Sequence, residues 1–145
     1  MLWDRNFGLL VATNKEIFTI NGDSLKPLYP NAGARNFRKL FRFHDQIYAA
    51  SPYGLFLIGK THYTNLLEGE DKMSSNVFSM LALSKDSLLL GTEAGLFLFN
   101  NGGLSKVSRN GFSISKSVYF ILKSNEGYLW FGTADGLIRW NGGLT

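Results

Sequence analysis

At 145 residues, 45% apolar and 18% charged, the chain is long enough for one ordinary core and too apolar for wholesale disorder. Its net charge of +4 favours anionic partners without demanding nucleic acid. The lack of cysteine excludes a disulfide framework and a thiolate metal site, and no apolar run approaches the ~18 residues of a membrane-spanning helix.

The opening MLWDRNFGLL has no basic segment ahead of an apolar one, so it does not read as a signal peptide. If the parent protein is exported, its signal is expected to have been removed. Residues 1–3 read as the end of a strand. LLVATNKEIFTI (9–20) gives two apolar runs around a polar turn, and LKPLY (25–29) a weaker third run.

GARNFRKLFRFH (33–44) interleaves Arg35, Arg38, Lys39 and Arg42 with Phe37, Phe41 and Phe43. Such spacing would suit a basic helix, and cations among aromatics would suit nucleic acid. IYAASPYGLFLI (47–58) and YTNLL (63–67) follow, then EGED (68–71), whose spacing is not that of an EF-hand and which reads as a solvated loop. VFSMLALSKDS (77–87), LLLGTEAGLFLF (88–99) and LSKVS (104–108) repeat the order. VYFILKSNEGY (118–128) and LWFGTADGLIRW (129–140) repeat it again.

The segments 9–20, 47–58, 88–99 and 129–140 align without internal gaps. Gly54, Gly95 and Gly136 recur at 41-residue intervals, and Glu16 takes their place in the first copy. Each unit has three apolar runs, a polar turn, a turn ending in Gly, and a weaker closing segment. Gly at that turn suits a left-handed residue of a short hairpin. Runs of four to seven residues bounded by Gly, Asn, Asp and Ser are strand signals, too short for helices.

Four antiparallel strands per ~40 residues make the blade of a β-propeller, so the expected fold is all-β. Blades are placed at about 1–35, 36–75, 76–116 and 117–145, some three and a half in all. Propellers generally close with four to eight blades, and an open one leaves apolar faces in water. The chain is therefore a piece of a longer propeller, or copies associate into a ring, or four blades close compactly.

At LWFGTADGLIRWNGG (129–143) the chain resembles the two-component regulator propeller repeat. Leu129, Trp130, Gly132, Thr133, Gly136, Leu137 and Trp140 fit its pattern, as does the SNEG turn (124–127). The third copy keeps Gly91, Thr92, Gly95, Leu96 and Phe99. The second keeps Gly54, Leu55 and Phe56 but has Ala50-Ser51 for Gly-Thr, and the first departs furthest, with Ala12-Thr13 and Glu16-Ile17. WD-repeat and kelch patterns fit less well; the Trp3-Asp4 pair lies in the wrong place.

The resemblance implies a ligand-sensing propeller, periplasmic or otherwise extracytoplasmic, often one of a tandem pair. A β domain, a membrane span and a histidine kinase or diguanylate cyclase usually follow in that family, and oligosaccharides are prominent ligands. The expected partners are an anionic oligosaccharide or other small ligand, and further blades or a second copy. Nucleic acid is not expected, and a membrane enters only through parts absent from this chain.

Chemistry offers little beyond this. His44 and His62 lack HxH, HExxH or a carboxylate cluster, and no GxSxG elbow occurs, so neither an enzyme nor a metal or other cofactor is expected. The repeated Gly-Thr pairs at 91–92 and 132–133 read as hairpin parts, Thr bonding the turn and Gly letting blades approach.

The candidate ligand-binding residues are Arg35, Arg38 and Tyr53. Matching Phe37 with Phe78 and Leu40 with Leu81 makes 37–42 an inner strand, with Arg38 and Arg42 pointing one way and Lys39 the other. Cations on a strand lining the channel call for an anion, such as an acidic or sulfated saccharide. Tyr53 stands where other copies carry Ala94 and Asp135, and its ring would stack on a sugar. The loops 30–36, 68–76 and 109–117, with turn 51–53, form the expected ligand face.

Overall fold

A computed structural model describes residues 1–101 and 103–141. The end of the family-like motif at 142–143, and Thr145, where a fourth outer strand is expected to begin, lie outside the described residues.

The fold is a partial β-propeller. The first sheet holds β1 (Leu2–Asp4), β2 (Gly8–Ala12), β3 (Ile17–Asn21) and β4 (Ser24–Pro27) in sequence order. The second holds β5 (Lys39–Phe43), β6 (Gln46–Ser51), β7 (Gly54–Ile58) and β8 (Tyr63–Asn65). After a short helix, α1 (Lys72–Ser75), the third sheet contains β9 (Val77–Ser84), β10 (Ser87–Thr92), β11 (Gly95–Asn100) and β12 (Gly103–Lys106). A small hairpin, β13 (Ser108–Arg109) and β14 (Phe112–Ser113), leads to a three-stranded last sheet of β15 (Val118–Lys123), β16 (Leu129–Thr133) and β17 (Gly136–Trp140). Every ladder is antiparallel.

Cores lie between sheets, because each strand alternates its side chains between two neighbouring sheets. Leu10 and Ile17 of the first sheet meet Leu40, Ile47, Ala49 and Phe56 of the second. Tyr48, Ala50 and Leu55 on the opposite face of the second meet Met80, Leu88, Leu90 and Phe97 of the third. Leu89 and Leu96 in turn meet Ile121, Leu129 and Phe131 of the last.

Two-residue loops join the middle strands: Ser51 pairs with Gly54, Thr92 with Gly95 and Thr133 with Gly136. The hydroxyls of Thr92 and Thr133 donate to the carbonyls of Gly95 and Gly136 at 3.1 and 2.8 Å, as a hairpin role for the Gly-Thr pair requires. Those glycines have φ of 152°, 122° and 116°, well wide of the left-handed helical value near +57° expected for them. They begin the next strand, and their missing Cβ matters sterically. At Gly54 a Cβ would lie 2.1 Å from Asn65 Oδ1, and at Gly95 2.0 Å from the Ile114 carbonyl. A Cβ on Gly91 would come 2.5 Å from the carbonyl of Val118, on the next sheet's inner strand.

Two readings of the inner strands change. Val77 and Val118 pair with Thr92 and Thr133, while Lys39 pairs with Ala50 as Ser79 pairs with Gly91. Phe37 therefore corresponds to Val77 and Val118, and Arg38 to Phe78 and Tyr119, one residue from the gapless match. The cause is a bulge in β9 near Leu83, where Ser87 faces Ser84 but Leu88 faces Ala82. β5 has no counterpart to it. Arg38 precedes β5 and reaches Asn76 and Val77 at the third sheet, whereas Arg42 reaches Trp3 and Asp4 of the first, so the two do not share a direction.

The 68–71 loop is more structured than expected. Asp71 caps α1, accepting from the Met73 and Ser74 amides at 2.9 and 3.0 Å. Glu68 and Glu70 remain at the surface or near it.

Candidate functional site

The loop 30–36 carries the chain from the first sheet to the second. There Arg35 is fixed by its amide, which donates to the Lys15 carbonyl at 3.1 Å, and by its carbonyl, which accepts from Ser51 Oγ at 2.5 Å. Ser51 Oγ also accepts from the Tyr53 amide at 3.1 Å. One hydroxyl thus ties the Arg35 loop to the Tyr53 turn.

Arg35 and Tyr53 border one open cleft of about 340 Å³, with Phe56, Tyr63, Asn65 and Glu68 completing its wall. Tyr53 is 59% exposed. Asn65 Nδ2 donates to the Tyr53 carbonyl at 3.0 Å, while its Oδ1 accepts from the Leu67 amide at 3.1 Å. This clamp holds the turn and needs the bare Cα of Gly54 beside it.

Tyr63 organises the cleft floor. Its hydroxyl donates to the Ala32 carbonyl at 2.9 Å and accepts from Arg35 Nε at 3.1 Å. Its ring meets Phe56, Tyr29 and Phe37 edge-on, with centroids 5.2, 5.3 and 5.7 Å away. Tyr29 donates to the Gly59 carbonyl at 2.5 Å, and burial pushes its hydroxyl up to about 12. No carboxylate forms an ion pair with Arg35 among the described residues, although Glu68 shares the cleft. A cation, two phenol rings, an amide and a carboxylate offer stacking, charge and hydroxyl recognition together.

Arg38 stands elsewhere. Its Nη1 donates to Asn76 Oδ1 at 2.6 Å and to the Val77 carbonyl at 3.3 Å, and its guanidinium lies 4.6 Å from the Phe78 centroid. Asn76 Nδ2 in turn donates to Glu93 Oε2 at 2.6 Å. Desolvation draws the Arg38 guanidinium below its ordinary value, and Glu93 opposes that shift. Phe78 continues to Tyr119, with ring centroids 5.2 Å apart. Arg38, Phe78 and Tyr119 thus form a ladder of equivalent positions, one per sheet.

Arg42 turns to the first sheet, donating to Asp4 Oδ2 at 2.9 Å and to the Trp3 carbonyl at 2.8 Å. The two histidines are separate: His44 Nε2 contacts the Lys85 carbonyl at 3.0 Å and His62 Nδ1 the Thr61 hydroxyl. No group of three His, Asp or Glu side chains suited to a metal ion occurs among the described residues.

Of the three residues singled out in the sequence, the structure brings Arg35 and Tyr53 together and places Arg38 at the contact with the third sheet. Tyr63 and Asn65 were missed, while Glu68 lies in the 68–76 loop of the expected ligand face without having been singled out. Tyr63 and Asn65 fall in a segment that reads only as a weak closing strand, but an aromatic and an amide alternating there were the available signal.

No protein-family model matches the chain, and no curated protein matches it. Among solved structures, it is similar to the extracellular domain assigned to the hybrid two-component system BT4673 from B. thetaiotaomicron. That match has a TM-score of 0.73 and 23% identity over 97% of this chain and 19% of the other. The extracellular domain of BT3049 from the same organism matches with TM-score 0.74 and 17% identity, over 99% of this chain and 21% of that one. The WD40 propeller domain of Doa1 matches with TM-score 0.64 and 19% identity, over 90% and 45%. The chain thus spans about a fifth of the length of the two extracellular domains, and its fold is that of propeller blades.

Proposed function

We propose that this chain is a non-enzymatic, ligand-sensing propeller segment of a two-component regulator. It belongs to the family whose repeat it resembles and works outside the cytoplasm. The ligand is an acidic or sulfated oligosaccharide, taken in the cleft of Arg35 and Tyr53. The response passes to a membrane histidine kinase or cyclase as a shift in packing between rigid sheets.

The observation that carries this reading is the Arg35 guanidinium beside two phenol rings in an open cleft, with no carboxylate paired to it among the described residues. In this reading the anionic group sits at Arg35, a sugar ring stacks on Tyr53, and a hydroxyl donates to Glu68. Arg38 contributes through the contact between sheets and not by touching the ligand. The likeness in fold to extracellular domains of two-component systems supports the setting.

A melting-shift screen across sulfated, uronic-acid and neutral oligosaccharides tests it. Sulfated or acidic glycans should raise the melting temperature, and Arg35→Ala should weaken the best of them by roughly tenfold or more. Unchanged affinity in an Arg35→Ala, Tyr53→Ala double variant would sink the assignment. A second reading, an assembly scaffold with no small ligand, is favoured by the exposed Leu137 and Phe120 on the last sheet. A screen without hits, with self-association intact, selects it.

A further inference from the structure

The outward faces of the two end sheets are made of residues whose counterparts in the inner sheets pack against a neighbouring sheet. By strand register, Leu137 corresponds to Ile17, Leu55 and Leu96. Those three are 0% exposed, whereas Leu137 is 62% exposed. Leu122 and Trp130, on the same outer face, correspond to Leu81 and Leu89, which pack against the next sheet.

The first sheet shows the complementary side. Leu9, Val11, Phe18 and Ile20 correspond to Ile47, Ala49, Phe56 and Ile58, all buried against a preceding sheet. Here the four are only half-buried. The side chain and carbonyl of Val118, from the following sheet, lie over Gly91, whereas the atoms nearest to Gly132 are those of the Phe120 ring, from its own sheet.

We infer that these faces are the two halves of one more interface of the kind already repeated three times within the chain. They mate between two copies, the first sheet of one against the last sheet of the other. The occupant follows from the internal interfaces: each of the three pairs a face of the last type with one of the first type, and a second copy carries the matching faces. Among the described residues, Leu122 and Leu137 on the last face and Leu25 on the first stand exposed, and no core cluster joins the first sheet to the last. Two copies joined at both ends bring together about eight sheets, inside the range in which propellers close. This inference is independent of the ligand.

The contact is heterologous, and that makes it testable. Sedimentation of the 145-residue chain at tens of micromolar should give twice 16.2 kDa. Phe18→Asp and Leu137→Asp each spoil one face and should each give a monomer with an unchanged circular dichroism spectrum. Mixed in equal amounts, they should form a dimer again through the one intact pair of faces. If Phe18→Asp does not fold, the exposed Leu25→Asp replaces it on the same face. A monomeric unmodified chain overturns the inference. So does a Phe18→Asp chain that still dimerises alone, since that requires like faces to pair.

Discussion

Single atoms decide where the sheets touch. The hydrogen of Gly91 occupies a space bounded by Ser79 Oγ and the Val118 carbonyl, which a methyl group would meet at 2.3 and 2.5 Å. Gly91→Ala must therefore push the third and last sheets apart, at a cost of about 1–3 kcal/mol. For a chain of this length that lowers the melting temperature by roughly 3–10 °C, measurable by calorimetry. The recurrence of Gly at 91 and 132 exposed this constraint in the sequence. The matching constraint at Gly54, set by Asn65 in an outer strand, was illegible because only the fold brings those two residues together.

Elements are tied by few polar contacts, and the tie between β1 and β5 responds to acid. Burial alone would raise the Asp4 carboxyl, but the Asn6 amide, Arg42 and the Phe7 amide together hold it below its ordinary 3.8. A depressed carboxyl stabilises the fold above 3.8, and that contribution disappears as pH falls through the lower folded value. Asp4→Asn should melt lower than the unmodified chain at neutral pH. The gap between the two should close as pH falls below 3.8, which melting curves across that window would check.

Strand order and hairpins were legible from the 41-residue spacing, but the inner-strand register was not, since a gapless comparison cannot see one bulged residue in β9. That slip also misdirected Arg38. The β13–β14 hairpin was overlooked although Asn110-Gly111, at φ 51° and 77°, is the usual signature of a two-residue turn.

At the scale of the whole molecule, the sequence counted some three and a half blades and left three ways of closing them, and it did not say which faces are bare. Identifying Leu137 as bare required knowing which way each strand turns its residues. The cleft was half legible: Tyr53 broke the repeat visibly, whereas Glu68 seemed only part of an acidic loop.

The core lies wholly between consecutive sheets, a feature with a dynamic consequence. Each sheet depends only on its neighbours, so stability accumulates along a line and thins out at both ends. The second and third sheets, covered on two sides, should lose amide protons to deuterium slowest, and the first and last should fray first. Exchange followed by mass spectrometry should show that gradient in any open monomer. In a closed ring there is no outermost unit left to fray, so the gradient should flatten.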